Sequence, residues 1–305
     1  MRLPPWFERF MAPEADRAAV LAAAIAELGV RPRILSIAGG RFVVARPRGP
    51  RRDGRYRVKV ITAHHDRVPG TPGALDNSAA CLQLVRFLAE ARDAFNTVVV
   101  FTDKEELGPA PHEYPAHRDD PARRSASPTE QGSYELGKVL AKELGPGAPM
   151  VFPLDVTGRG DALVLSRAAE GLALRAGWEP WANAAVDSLA SETAAMAATA
   201  ARLMAGRGRA LMASVPFGED LGFMLAGLPA LTVTVLPRAE AEALAADGAL
   251  PAWASPSAPG SRVPATWRVL HGPDDRVGLY DDAAFELVAR FLERLAALRV
   301  PAMIP

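Results

Sequence analysis

The spacing of apolar residues switches repeatedly between two periods along the chain, which predicts alternating strands and helices. Helical spacing with start and stop signals predicts helices at residues 14–28, 77–93, 131–144, 191–204 and 281–298. Short β-forming runs predict strands at residues 41–45, 57–63, 97–102, 150–155, 162–165 and 230–236. Turn residues between the first two runs predict a hairpin. This alternation is typical of an α/β fold with a mainly parallel sheet covered on both faces.

Two stretches, at about residues 109–130 and 247–266, show neither period. Irregular segments of this length are uncommon in compact domains and are often functional lids or variable insertions. The first directly follows Glu106 and the second directly precedes His271, so a lid and a surface loop are both open interpretations. The simplest organisation is a single domain over residues 1–305 that carries both insertions.

Composition narrows the class of protein. With 49% hydrophobic and 23% charged residues, the chain can bury a large core and is not disordered overall. Thirty-five basic residues balance 35 acidic ones, which leaves no charge footprint for nucleic acid or an acidic membrane. Cys81 is the only cysteine, and no run approaches the ~20 apolar residues of a membrane span. The N-terminus lacks the apolar stretch of a secretory signal, so we expect a cytoplasmic protein of unspecified oligomeric state.

Five potential metal ligands end apolar strand-like runs or lie in the loops that follow them: His64, Asp76, Glu106, Asp155 and His271. The carboxyl ends of parallel strands open onto one crevice, so residues distant in sequence can converge there. Two imidazoles and three carboxylates suit a pair of divalent ions with one carboxylate bridging them. Each residue alone would more simply be structural; the set together predicts a metal centre.

Spacing also suggests roles for the neighbouring residues. In a strand, His64 and Asp66 point the same way and His65 points opposite, so Asp66 can orient His64 as a metal ligand. For Glu105 and Glu106 the roles stay open at this point. One carboxylate can bind metal while its neighbour, aimed differently, accepts a proton from a water that the metal activates.

In chain order these motifs resemble the co-catalytic zinc aminopeptidases of the bacterial leucyl aminopeptidase type. That group belongs to the clan MH metallopeptidases, which also include the glutaminyl cyclases. The resemblance runs from about residue 58 to residue 291 and is carried by His64-Xaa-Asp66, Gly73-Ala74-Xaa-Asp76-Asn77, Glu105-Glu106, Asp155 and His271. The fold that it implies is a phosphorylase/hydrolase-like three-layer α/β/α sandwich with a mixed, mainly parallel sheet.

The resemblance also implies a chemistry. One zinc ion would be held by His64, Asp76 and Glu106, and a second by Asp76, Asp155 and His271. Asp76 would bridge the two ions, and the catalytic candidates would be Glu105 as general base with Asp66 behind His64. The implied activity is removal of N-terminal residues from peptides, or hydrolysis of amino-acyl amides. Cobalt and manganese accept the same ligands, so the native metal stays open.

Three departures from the family pattern leave substrate preference open. Residues 109–130 separate Glu-Glu from Gln131-Gly132-Ser133, which in the family pattern follow closely as Gly-Leu-Xaa-Gly-Ser. The signature Asp-Asn-Xaa-Ser-Gly has become Asp76-Asn77-Ser78-Ala79-Ala80-Cys81, and Ser-Asp-His has become Glu219-Asp220-Leu221. Glutaminyl cyclases carry a similar insertion and bind one zinc ion, which makes cyclisation of an N-terminal glutamine the alternative activity. Asp76-Asn77 favours the peptidase, since the similar cyclases carry Asp-Ser there. A catalytically inactive binding domain on the same scaffold is the third possibility.

Overall fold

The computed structural model describes residues 2–50, 52–106, 129–145, 147–170, 182–246 and 263–302. Eight α-helices lie in these ranges: α1 (Pro5–Met11), α2 (Arg17–Glu27), α3 (Ala79–Glu90), α4 (Gly132–Leu144), α5 (Ala182–Met204), α6 (Glu219–Leu225), α7 (Arg238–Ala246) and α8 (Asp282–Ala297). Eight strands accompany them: β1 (Arg33–Ile37), β2 (Gly40–Ala45), β3 (Val58–His64), β4 (Thr97–Thr102), β5 (Pro149–Pro153), β6 (Ala162–Ser166), β7 (Arg209–Ala213) and β8 (Val233–Leu236).

The strands form one mixed sheet in two parts. Five strands lie in the order β1-β2-β4-β3-β5, and three lie in the order β7-β6-β8. Parallel bridges from Val151 to Ala230 and from Leu154 to Val233 join the parts along β5. The pairs β3–β4, β3–β5 and β6–β7 are parallel, whereas β1–β2, β2–β4 and β6–β8 are antiparallel.

Helices cover both faces of this sheet because its central strands are apolar on both sides, as in other sheets with parallel cores. One face packs against α1, α2, α3, α5 and α8 through side chains that include Val43, Ile61, Val99 and Phe101. The other face packs against α4 and α6 through side chains that include Phe42, Val60, Val98 and Val100. Successive strand residues thus alternate between two cores, and the three-layer α/β/α arrangement expected from the sequence is confirmed.

The predicted hairpin between residues 41–45 and 57–63 is wrong. β2 instead pairs with β1, a strand that the apolar pattern did not predict, through the tight turn at Ala38 and Gly39, both of which have positive φ. β3 lies between β4 and β5 in parallel register, so the Pro/Gly/Arg-rich segment before it carries the chain across the sheet. Turn residues mark where a chain reverses, but they do not specify which strand becomes the partner.

Most of both predicted insertions lies outside the described residues, since residues 107–128 and 247–262 are not among them. Within the described ranges, no helix combines the length and apolar character needed to span a membrane. A single domain, a cytoplasmic location and the absence of nucleic-acid partners stay predictions.

Candidate metal centre

Three parallel strands deliver most of the predicted ligands to one edge of the sheet. His64 is the last residue of β3 and is in register with Thr102, the last residue of β4. Glu105 and Glu106 follow β4 by a few residues, and Asp155 follows the end of β5. This is the carboxyl edge at which ligands bind in α/β sheets.

Asp76 reaches the same edge from the turn Ala74–Ser78, which leads into α3. Its two carboxylate oxygens face two different imidazoles. Oδ1 lies 3.0 Å from Nε2 of His64, and Oδ2 lies 2.8 Å from Nε2 of His271. Asp76 therefore stands between two histidines that are 207 positions apart in the sequence.

The remaining two ligand candidates each approach one of these histidines. Asp155 Oδ1 lies 3.7 Å from His64 Nε2, and Glu106 Oε1 lies 3.2 Å from His271 Nε2. His64, Asp76 and Glu106 also offer ligand atoms that all lie within 4.8 Å of one another. All five predicted ligands are thus brought together, with His64 nearer to Asp155 and His271 nearer to Glu106.

The residues fit divalent ions on an independent criterion. His64 Nε2, Glu106 Oε1 and Asp155 Oδ1 are buried, yet none makes a well-aligned hydrogen bond among the described residues, despite the short distances within the cluster. Buried polar atoms are normally hydrogen-bonded, so unpaired atoms that converge on one point need another partner. Imidazole nitrogens and carboxylate oxygens are the donor set that zinc takes.

The pKa values of the clustered side chains also indicate that the site suits divalent ions. Burial opposes protonation of His271, but the Asp76 and Glu106 carboxylates raise its pKa to about 11. Burial and the charge of Asp76 raise the pKa of Glu106 to about 7. Without cations, the cluster keeps protons that its groups would release in water at neutral pH. Divalent ions would replace these protons, because metal ligands bind in their deprotonated forms.

Glu105 lies beside the Asp155 side of the cluster. A side chain at Gly218 would lie 3.3 Å from Asp155 Oδ2 and 3.4 Å from Glu105 Oε1, so the glycine leaves both oxygens room. Burial, followed by the neighbouring carboxylates, raises the pKa of Glu105 well above its ordinary value. A carboxylate whose pKa lies above its ordinary value is a stronger base than one in water, so it is suited to take up and return a proton.

Asp66 and His65 lie as the strand period predicts. Asp66 Oδ1 is 3.5 Å from His64 Nδ1, and Asp66 Oδ2 accepts a hydrogen bond of 2.9 Å from the Glu106 amide. Asp66 therefore contacts two of the ligand candidates at once. His65 faces away, with Nε2 2.7 Å from the Arg41 carbonyl oxygen.

Sequence reasoning did not assign three buried carboxylates around this cluster: Glu219, Asp220 and Asp275. Glu219 accepts a hydrogen bond of 3.1 Å from the Thr62 hydroxyl, beneath His64 on β3. Asp275 accepts hydrogen bonds from the amides of Leu75 and Asp76. Glu219 and Asp220 lie where the sequence departs from the family's Ser-Asp-His, and that departure was a signal that could have identified them. The spacing of Asp275 from His271 gave no such signal.

Known structures with the same fold include both peptidases and cyclases. A zinc aminopeptidase from Bacillus subtilis is 14% identical with a TM-score of 0.50, and the match covers 85% of this chain and 50% of that one. The LapA aminopeptidase of Legionella pneumophila is 12% identical with a TM-score of 0.57, covering 95% and 69%. A glutaminyl cyclase from an Acidobacteriales bacterium is 16% identical with a TM-score of 0.57, covering 96% and 92%.

This chain thus spans about half the length of the Bacillus aminopeptidase. No curated protein matches it by sequence. The model of peptidase family M28 matches residues 43–207, which hold four of the five ligand candidates and more than half of the chain. With this match, and with a sheet edge that gathers imidazoles and carboxylates, the chain belongs to peptidase family M28.

Proposed function

We propose that this M28 protein is an aminopeptidase, a metal-dependent hydrolase that removes N-terminal residues from peptides or cleaves amino-acyl amides. One observation carries the proposal: each carboxylate oxygen of Asp76 faces a different histidine, at 3.0 and 2.8 Å. A carboxylate that faces two ligand sets is the bridging group that a pair of ions needs, and paired ions are typical of aminopeptidases.

The contacts favour one division of the ligands. We propose that His64, Asp76 and Asp155 hold one zinc ion and that Asp76, Glu106 and His271 hold the other. This exchanges Glu106 and Asp155 relative to the division that the family resemblance implies. Zinc, when bound, supplies a Lewis acid that polarises a substrate carbonyl and lowers the pKa of water.

The residues of the chain supply the proton transfers. We propose that Glu105 accepts a proton from the water that attacks the peptide carbonyl. It then returns this proton to the amine that leaves when the C–N bond breaks. Asp66 would hold His64 in orientation through its contact with Nδ1. Gly218 would keep the space beside Glu105 and Asp155 open.

Glutaminyl cyclisation is the second candidate, and one observation favours it. The chain covers 92% of the Acidobacteriales glutaminyl cyclase but 50% of the Bacillus zinc aminopeptidase. In a cyclase, the α-amine of an N-terminal glutamine would attack the carbon of its own side-chain amide, and ammonia would leave as that amide C–N bond breaks. This reaction would require one zinc ion, and Glu105 would move the proton between the nitrogens. The Asp76-Asn77 sequence supports the peptidase over this alternative.

A paired measurement separates the candidates. Protein freed of metal by chelation is titrated with zinc, and the loaded protein is offered a panel of fluorogenic amino-acyl amides and a glutaminyl peptide. We expect two zinc equivalents and amide hydrolysis that Glu105→Gln lowers by about 10²-fold or more, which excludes a contaminating peptidase. One equivalent with cyclisation would select the cyclase. Zinc binding without either reaction would leave a binding domain and overturn the proposal.

A further inference from the structure

We infer that Asp275 is a positioning residue that fixes the bridging ligand Asp76 for metal binding. The inference rests on the proposed function and adds to it a residue outside the five ligands. The Asp275 side chain is fully buried. Its Oδ1 accepts a hydrogen bond of 2.6 Å from the Leu75 amide, and its Oδ2 accepts one of 3.2 Å from the Asp76 amide.

These two hydrogen bonds hold the backbone at the ligand itself. Both amides belong to the turn Ala74–Ser78, so the carboxylate of Asp275 fixes the peptide from which the Asp76 side chain projects. Hydrogen bonds between an ionised carboxylate and backbone amides are about twice as strong as neutral ones. Metal–ligand distances tolerate displacements of only about 0.2 Å, so the anchoring of this backbone bears directly on binding.

The same segment also carries the second histidine. Asp275 lies four positions after His271 and 200 positions after Leu75. Its carbonyl oxygen accepts a hydrogen bond of 3.4 Å from the Ala74 amide, and the Tyr280 hydroxyl donates one of 2.8 Å to the Ala74 carbonyl. The segment at residues 271–280 thus makes four hydrogen bonds to the backbone of Ala74, Leu75 and Asp76. The same segment places His271 beside the Asp76 carboxylate.

Asparagine at position 275 would disrupt the two side-chain hydrogen bonds to the Leu75 and Asp76 amides with little change in side-chain volume. Its one carbonyl oxygen can accept from only one side, so its amide group would face an N–H donor of the Asp76 turn. Two donors in contact repel, and a buried amide N–H group would be left without an acceptor. The turn would move away from the geometry that serves both histidines.

The test compares Asp275→Asn with Asp281→Asn, the same substitution at an exposed aspartate directly after this segment. Asp281 also accepts a backbone hydrogen bond, of 2.8 Å from the Gly160 amide, but does not touch the Asp76 turn. Metal-free wild type and both variants are titrated with Co²⁺ by visible absorption and with Zn²⁺ by calorimetry. Thermal unfolding of the metal-free proteins is measured in parallel.

We expect Asp275→Asn to weaken metal binding by about 10–100-fold and to alter the Co²⁺ spectrum at saturation. Asp281→Asn should leave both at wild-type values. Equal affinities and spectra for all three proteins would overturn the inference. So would a loss of Asp275→Asn affinity only in proportion to a loss of folded protein, because that would show a purely structural role. Wild type that binds no metal would instead overturn the proposed function.

Discussion

Asp76 and Asp220 are both buried aspartates at the same region of the sheet edge, but their surroundings have opposite effects on their charge. Burial acts to raise the pKa of Asp76, but His271 and His64 outweigh it and hold that pKa well below its ordinary value. Burial raises the pKa of Asp220 to about 7, because its partners are a hydroxyl and the amides of Gly218 and Leu221. Amide and hydroxyl donors do not offset its desolvation.

This difference separates two acidic clusters that look alike in sequence. The ligand cluster pairs its carboxylates with imidazoles, which hold protons that metal ions would displace. The hydrogen-bond partners of Glu219 and Asp220 are instead hydroxyls and amides, and burial raises the pKa of Glu219 to about 7 as well, against the opposing charge of His64. A buried acidic side chain is thus a stronger metal-ligand candidate where its oxygens face imidazoles, whose protons a cation can replace, than where they face hydroxyls and amides.

The largest expected effect comes from neutralising Asp76. Asp76→Asn keeps the size of the side chain but removes the charge shared by both proposed ions. It should therefore lose both ions and lower kcat/KM by about 10³-fold or more, in the range seen when a central catalytic group is removed. Metal analysis after dialysis and assay of a fluorogenic amide measure the two effects.

His271→Ala is the matched comparison for this variant. It removes a ligand of one proposed ion and should loosen mainly that one, leaving about one zinc equivalent bound. Retention of two equivalents by Asp76→Asn would contradict the bridging role.

An intermediate effect is expected from Glu105→Gln, which removes a proton acceptor but no ligand. Glutamine cannot accept the proton, so kcat should fall by about 10²–10⁴-fold while metal content and unfolding temperature stay at wild-type values. Glu106→Gln should instead weaken the binding of one metal, and excess zinc should partly restore its activity. Metal loss in the Glu105 variant with retention in the Glu106 variant would reverse the two assignments.

The smallest effect on catalysis, and a distinct effect on stability, is expected from Asp220→Asn. The folded protein holds a proton on Asp220 between its unfolded pKa, near 3.8, and its folded value of about 7. Because the folded state binds more protons there, the stability of metal-free protein should fall as pH rises from about 4 to 8. The Asp220 share of that loss is at most about 4 kcal/mol, from ~1.4 kcal/mol per pKa unit.

Urea unfolding of wild type and Asp220→Asn at a series of pH values measures this slope. The variant should lose only the Asp220 share of it, since burial also raises the pKa values of Glu105, Glu106 and Glu219, which contribute to the same slope. Asparagine can still accept the two amide hydrogen bonds that reach Oδ1 of Asp220. Zinc content should not change. An unaltered slope would show that Asp220 is ionised in the folded state.

Local pattern predicted most elements, because apolar period and turn chemistry are properties of neighbouring residues. The predicted strand at 97–102 has the bounds of β4, and the predicted helix at 281–298 differs from α8 by one residue at each end. The ligand candidates could be predicted in the same way, because the ends of apolar strand-like runs are also visible in the local sequence. Strand partners could not be obtained in this way, as the hairpin error shows, since pairing depends on residues far apart in the chain.

The buried carboxylates illustrate the same limit. Acidic residues at the start of a helix, as Glu219 and Asp220 are in α6, are usually exposed and favourable there. Only their packing beneath β3 and against residues 218 and 221 shows that both are desolvated. Asp275 acts on a turn 200 positions earlier, and nothing in its own neighbourhood in the sequence indicates that turn.

The order of the ligand residues along the chain has a consequence for how the protein is made. His64, Asp76, Glu106 and Asp155 are synthesised before β6, whereas His271 follows β8, the last strand of the sheet. A nascent chain that ends before residue 271 lacks one of the two imidazoles that face Asp76. Full occupancy of the proposed metal centre would therefore have to wait until the sheet and the segment after it have met. A metal bound there would stabilise the whole array of strands and not one local loop.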